Sequence, residues 1–255
     1  MRFLTAVHTD KGNVKQTNQD SALVMEAESD AGNILLTVVC DGMGGLAKGE
    51  VASSTVIEAF SQWFENVMPR TAAAADPQPG IVRDWKNIIF SCHRRILDYA
   101  GQNGITMGTT LNACLFFKGR YYIVNVGDSR LYMITDDLFQ ITKDHTFVQR
   151  EIDLGRMTPD EALVSPRRSV LLQCVGAGEY LEPEFFFGEY HPGESYLQCS
   201  DGFRHAITEN EIVKFCGPAA VGDEQSMQDN IVYLTDLNKY RRERDNITVI
   251  LVKTE

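Results

Sequence analysis

The sequence predicts an α+β fold on three observations. Strand-like and helix-like stretches come in blocks and do not alternate. Two long helical patterns follow one another with no strand between them. A series of short β-branched and aromatic runs, separated by polar turns, then fills the middle of the chain. With 255 residues, 44% hydrophobic and 23% charged, the composition is that of a globular protein with a core of good size. No linker is long enough to demand two domains, so residues 1–255 read as one.

In order, Met1 to His8 reads as a first strand. Thr9 to Asp20 is a polar loop with Lys15, Asn18 and Asp20 near its end. Ser21 to Ala27 and Asn33 to Cys40 are the next strands, the latter almost wholly apolar. Glu50 to Val67 carries Val51, Val56, Ile57, Phe60, Phe64 and Val67 at helical spacing and ends at Met68-Pro69. Arg70 to Gly80 is an exposed connection. Ile81 to Ala100 is a second helix, with Trp85, Ile88, Ile89, Cys92 and Ile96 on one stripe. Thr110 to Phe117, Arg120 to Val126, Arg130 to Thr135 and Phe139 to Thr142 form an antiparallel meander. Asp144 to Gly176 is mixed and leans helical. Strands return at Glu184 to Glu189 and Ser195 to Cys199, helices at about Glu209 to Phe215 and Gln225 to Leu237, and a last strand at Ile247 to Lys253.

The strand ending at Cys40 stops on Asp41-Gly42-Met43-Gly44-Gly45, and a helical pattern follows from about Ala47. Three readings compete. Gly42, Gly44 and Ala47 match the spacing of a dinucleotide site. Asp41 and the Gly42 carbonyl suit a hard metal ion. A ligand-free strand-to-helix turn needs neither. The dinucleotide reading loses ground because a strand-helix-strand alternation is missing.

Bulk numbers exclude several partners. A net charge of -11, from 24 basic against 35 acidic residues, argues against nucleic acid and anionic membranes. The six cysteines are scattered with no C-x-x-C pair and read as buried free thiols in a reducing compartment. Met1 to Asp10 lacks a signal-peptide core, and no apolar run approaches the roughly 20 residues of a membrane span. The expectation is a cytoplasmic protein, and a monomer.

One feature recurs: an aspartate at the end or start of an apolar strand, at Asp41-Gly42, Gly127-Asp128, Asp201-Gly202 and Asp245-Asn246, with Asp20 before another strand. A single such acid is usually a turn residue. Several converging at one sheet edge would repel and could not all stay ionised without cations. All-oxygen ligation suits Mg²⁺ or Mn²⁺. Two such ions would polarise a phosphoryl group and acidify a water. The five histidines are dispersed, without the spacing of a zinc hydrolase, and there is no P-loop.

Taken in order, Thr9-Asp10-Lys11-Gly12 with Asn18-Gln19-Asp20, Asp41-Gly42-Met43-Gly44-Gly45, Gly108-Thr109-Thr110, Asn125-Val126-Gly127-Asp128-Ser129-Arg130, Asp144-His145-Thr146, Ser200-Asp201-Gly202 and Asp245-Asn246-Ile247-Thr248 resemble the metal-dependent protein phosphatases, the type 2C serine/threonine phosphatases, in their compact bacterial form. The resemblance implies a four-layer α-β-β-α sandwich, with two central antiparallel sheets flanked by helices. It implies a serine/threonine phosphoprotein phosphatase that acts on the products of a serine/threonine kinase. Asp41 would bridge two Mn²⁺ or Mg²⁺ ions, the Gly42 carbonyl would bind one, and Asp201 and Asp245 would hold one each. Asp20 would act through metal-bound water, and Asp128 with Asp201 would form a weaker third site. The bridging water or hydroxide would attack phosphorus in line, with no phospho-enzyme intermediate.

The match departs in places. Many members have an arginine that grips the substrate phosphate where this chain has Lys15, which is a point charge and not a fork. Lys15 is either that phosphate ligand or a solvated loop lysine. Met43 stands where animal enzymes have a histidine proposed as general acid, a feature shared with bacterial relatives. His145 is a candidate proton donor by residue type, or a loop or cap histidine. Leu154 to Arg168 aligns with a mobile flap, whose Arg167 and Arg168 either meet an acidic phosphoprotein or are solvated. A catalytically silent, phosphoprotein-binding relative is the alternative function. Such relatives tend to lose metal aspartates, and Asp41, Asp201 and Asp245 are all retained.

Overall fold

A strand that is apolar on both faces must be covered on both sides. Residues 34–40 demand such cover. The computed structural model describes residues 1–30, 32–44 and 48–255 and supplies it. In chain order the elements are β1 (Phe3–Asp10), β2 (Ser21–Ser29), β3 (Gly32–Cys40), β4 (Gly42–Gly44), α1 (Gly49–Asn66), α2 (Met68–Ala72), α3 (Gln78–Asn103), β5 (Met107–Thr109), β6 (Leu111–Phe117), β7 (Arg120–Val126), β8 (Arg130–Ile134), β9 (Leu138–Gln140), α4 (Phe147–Asp153), α5 (Pro159–Leu163), β10 (Glu184–Glu189), β11 (Ser195–Cys199), α6 (Asp201–Arg204), α7 (Glu209–Cys216), α8 (Glu224–Tyr240) and β12 (Ile247–Thr254). One five-stranded sheet has the order β1-β12-β11-β8-β9, the other β10-β7-β6-β3-β2, and β4 pairs with β5 in a separate ribbon. The pairings are antiparallel.

The two-residue period of each strand sorts its side chains into layers. Leu36, Val38, Ala113, Leu115, Val124 and Val126 pack with Val56, Phe60, Trp85 and Ile89 of α1 and α3. Their neighbours Leu35, Val39, Cys114, Phe116 and Ile123 pack against Leu131, Tyr196, Ile250 and Val252 of the other sheet. On the far side, Leu197, Cys199, Val249 and Leu251 lie under Phe203, Ile212, Met227, Ile231 and Leu234. Three apolar interfaces separate four layers, helix on sheet on sheet on helix, as expected. All six cysteines are free and buried. No described helix is long and apolar enough to cross a membrane.

Two local expectations are corrected, and two short elements appear that the sequence did not announce. The meander breaks after β7: β7 pairs with β6 and β10, whereas β8 pairs with β11 and β9 in the opposite sheet. The crossing is made at Gly127, whose φ of +102° is accessible to glycine, and whose Cβ, if present, would lie 2.6 Å from Thr110 Cγ2. Pro69 ends α1 but also sits in the first turn of α2, where a missing amide costs nothing, so the connection after it is partly helical. The ribbon of β4 with β5 and the single turn of α6 are too short for their periodicity to show. Gly45 and Ala47, parts of the glycine-rich turn, lie outside the described residues.

Candidate active site

The topology delivers acids from both sheets to one edge. Asp41 follows the last residue of β3, and the pairing of Ser21 with Cys40 sets Asp20 at the same edge. The Asp41 backbone is clamped by the Gly108-Thr109-Thr110 segment. Its amide donates to Thr110 Oγ1 at 2.8 Å, and its carbonyl accepts from Thr110 N at 2.8 Å and Thr109 Oγ1 at 3.0 Å. Gly42 is buried in β4 opposite Thr109. From the second sheet, Asp201 follows β11 and Asp245 precedes β12. Ser200 joins the two edges: its hydroxyl donates to Asp20 Oδ2 at 2.9 Å and accepts from Thr248 N at 3.0 Å. Gly202 is required here because a Cβ would fall 2.1 Å from the Asn246 carbonyl.

These carboxylates share one electrostatic environment. Burial, and then the charges of Asp20, Asp201, Asp128 and Asp245, push the Asp41 carboxyl well above its ordinary range. Burial raises Asp20 to about 7, against hydrogen bonds from Thr248 and Ser200 and with help from Asp201 and Asp245. Asp128 is also raised to about 7, by burial and then by Asp201, with Arg204 relieving part of the strain. Two oxygens, Asp20 Oδ1 and Asp201 Oδ1, are buried without a hydrogen-bond partner. Bare, buried, mutually repelling oxygens are what a hard divalent cation takes as ligands, so the donor set fits Mn²⁺ or Mg²⁺. Among the described residues, no three His, Cys, Asp or Glu side chains are closed into a metal-holding cluster. The fit therefore rests on donor chemistry and on the unpaired oxygens.

Lys15 stands over the same acids. Its Nζ is 2.7 Å from Asp245 Oδ1. Burial opposes its charge, but the bond to Asp245 and the fields of Asp245, Asp41 and Asp201 outweigh that, and its pKa is raised. Arg167 and Arg168 are not brought to the cluster. Arg167 stacks on the Phe147 ring, 3.4 Å from its centroid, and Arg168 Nη1 donates to the Leu163 carbonyl at 3.3 Å. His145 is engaged structurally. Its Nδ1 accepts from Gly127 N at 3.2 Å and from Gln173 Nε2 at 2.8 Å, leaving Nε2 to face Glu184 at 3.3 Å. Burial holds its pKa below the usual histidine value.

Several supporting roles escaped the sequence reading. Asn246 accepts from Gln19 N at 2.9 Å and donates to the Lys11 and Thr17 carbonyls at 2.9 and 3.1 Å, so it secures the loop that carries Lys15. Glu243 accepts from the Asp245 amide at 2.9 Å and lies 3.6 Å from His205, which in turn lies 3.6 Å from Asp201. Arg204 Nη2 donates to the Asp128 carbonyl at 3.1 Å. For Arg204 and His205 the available signal was their spacing of three and four residues from Asp201, one helical turn.

A sandwich of two sheets whose shared edge gathers buried aspartates has the donor set of a protein that binds hard divalent metal ions. Residues 9–218 match the family Protein phosphatase 2C, and the chain belongs to that family. The serine/threonine phosphatase stp of Listeria welshimeri is 32% identical over 253 residues, spanning 96% of this chain and 93% of the relative. Among solved structures, serine/threonine phosphatase Stp1 from Staphylococcus aureus superposes with a TM-score of 0.83 at 30% identity, over 100% of this chain and 96% of that one. The catalytic domain of serine/threonine protein phosphatase PstP, in complex with two manganese ions, gives 0.79 at 31% identity over 99% of each chain.

Proposed function

We propose that this chain is a protein-serine/threonine phosphatase, a single catalytic domain over residues 1–255. It removes phosphate placed by a serine/threonine kinase, and acts as a monomer in a reducing compartment such as the cytoplasm, where six free thiols are stable. The observation that carries the reading is the gathering of Asp20, Asp41, Asp201 and Asp245 from two sheets at one edge, with two buried oxygens left bare. Asp41, the Gly42 carbonyl, Asp201 and Asp245 would hold two Mn²⁺ or Mg²⁺ ions, with Asp20 beside them. When bound, such ions neutralise charge on the phosphoryl oxygens and supply a water acidic enough for in-line attack at neutral pH.

The chain's own residues do the rest. Thr109 and Thr110 hold the Asp41 backbone so that its carboxyl keeps one direction. Ser200 locks Asp20 against the edge of the second sheet. Lys15 places a positive charge where a phosphate leaving solvent would find it, and can exchange its Asp245 partner for a phosphoryl oxygen. The buried thiols take no part. The retained acid set disfavours a silent phosphoprotein binder.

The test is phosphate release from phosphothreonine and phosphotyrosine peptides in Mn²⁺, Mg²⁺ or EDTA. Turnover of the phosphothreonine peptide that needs metal supports the reading. Metal-independent turnover, or preference for the phosphotyrosine peptide, refutes it.

A further inference from the structure

Beside the site acids lies a second charged cluster that the proposed reaction does not use. Asp128 and Asp144 are both buried. Asp144 is gripped by Arg130, whose Nε and Nη2 donate at 2.8 Å to its two oxygens. Arg204, from the turn that begins at Asp201, brings Nη2 to 3.7 Å from Asp128 Oδ2 and 3.6 Å from Asp144 Oδ2, while donating to the Asp128 carbonyl. Its side chain is only 14% exposed, and its Nε is buried. Two carboxylates here meet two guanidiniums. Asp41, Asp201 and Asp245, by contrast, feel Lys15, with His205 adding charge beside Asp201 only when protonated.

We propose that Arg204 is a built-in counter-ion that takes the cation position beside Asp128, so that this chain holds two divalent ions and resists a third. The inference rests on the two-ion reading above. A divalent ion bound between Asp128 and Asp201 would come close to a guanidinium in poorly hydrated surroundings, where like-charge repulsion is severalfold stronger than in water. A guanidinium cannot shed its proton to admit the ion. Nor can it turn away freely, because its Nη2 is tied to the Asp128 carbonyl. Arg204 is therefore a positioning residue: it sets the charge of the corner at Asp128 without touching substrate.

The experiment is an Mn²⁺ titration of the full chain by calorimetry, with bound Mn²⁺ counted by electron paramagnetic resonance. The variants are Arg204→Gln, which keeps a donor for the carbonyl but removes the charge, and Arg204→Lys, which keeps the charge. The expected wild type binds two ions, with a third weaker by at least about tenfold. Arg204→Gln should strengthen the third event by about tenfold and leave the first two within about twofold, while Arg204→Lys stays near wild type. An unchanged third affinity in Arg204→Gln, or Arg204→Lys behaving like Arg204→Gln, overturns the proposal. If Arg204→Gln does not fold, Arg204→Met replaces it with the same expected outcomes, and in the wild type a third ion bound as tightly as the first two overturns the proposal. Absence of any Mn²⁺ binding would overturn the two-ion reading and this proposal with it, whereas two tight ions with an Arg204-independent third would overturn this proposal alone.

Discussion

Replacing Asn246 with alanine tests how the site is held without touching a site acid. Asn246 is buried at 3% exposure, and its side chain makes three hydrogen bonds to the segment from Lys11 to Gln19. Their losses are unequal. The Gln19 amide is buried and has no route to water, so it bears a desolvation penalty of about 1–3 kcal/mol. Lys11 and Thr17 are exposed, and their carbonyls can rehydrate, so each costs about 0.5–1 kcal/mol. The total is about 2–5 kcal/mol, a fall in Tm of roughly 4–20 °C for a chain of this size. The same loop carries Lys15 and Asp20, so KM for a phosphopeptide should rise severalfold in the still-folded variant. Urea unfolding and steady-state kinetics read the two effects separately. A stability loss below about 0.5 kcal/mol with unchanged KM would refute the role given to Asn246.

Three further outcomes are expected. Gly127→Ala forces a side chain into φ +102° against Thr110, and should cost about 2–4 kcal/mol in thermal unfolding; a loss under about 0.5 kcal/mol would contradict it. Burial opposes the charge of Glu243, but His205 and the Asp245 and Arg244 amides prevail and hold its carboxyl down to about 2. The wild type should therefore exceed Glu243→Gln in stability most above pH 4.5, by up to about 3 kcal/mol. That gap should close as pH falls towards 2, and a gap that does not shrink in urea melts between pH 6 and pH 3 rejects the assignment. Because burial, with Asp201 and Asp245, raises Asp20 to about 7, ionising it costs stability as pH rises from about 4 to 7. EDTA-treated protein should melt lower at pH 8 than at pH 6, Mn²⁺ should remove the difference, and Asp20→Asn should raise the metal-free Tm; a lowered one sinks the argument.

The long, regular elements were legible because their periodicity spans several turns or strand repeats. Glu184–Glu189 and Ser195–Cys199 are strands at the bounds read from the sequence, and the stripe through Trp85, Ile89, Cys92 and Ile96 is the buried face of α3. What was hidden depends on partners distant in sequence. Nothing in Arg120–Val126 and Arg130–Ile134 tells that the chain leaves one sheet at Gly127 and enters the other, because both halves of the corner carry ordinary strand composition. The ribbon of Gly42–Gly44 with Met107–Thr109 is held by a pairing across the whole of α1 and α3, and glycine has no strand preference. The site acids showed themselves by their place at strand ends. Arg204, Glu243 and Asn246 did not, since a charged or amide residue on a short turn reads as solvated until its burial is known. Arg167 and Arg168 carried a plausible substrate pattern, yet one stacks on Phe147 and the other bonds to Leu163 within the same segment.

The most direct test of the central claim is phosphate release from a phosphothreonine peptide as a function of Mn²⁺, for wild type and Asp41→Asn, with the fold of each checked by thermal melting. Asp41 sits where the fields of Asp20, Asp201, Asp128 and Asp245 meet. The account predicts saturable Mn²⁺ activation of the wild type, and a kcat at least about a thousandfold lower in a folded Asp41→Asn. A folded variant that retains activity within about tenfold would contradict a hydrolysis centred on these carboxylates.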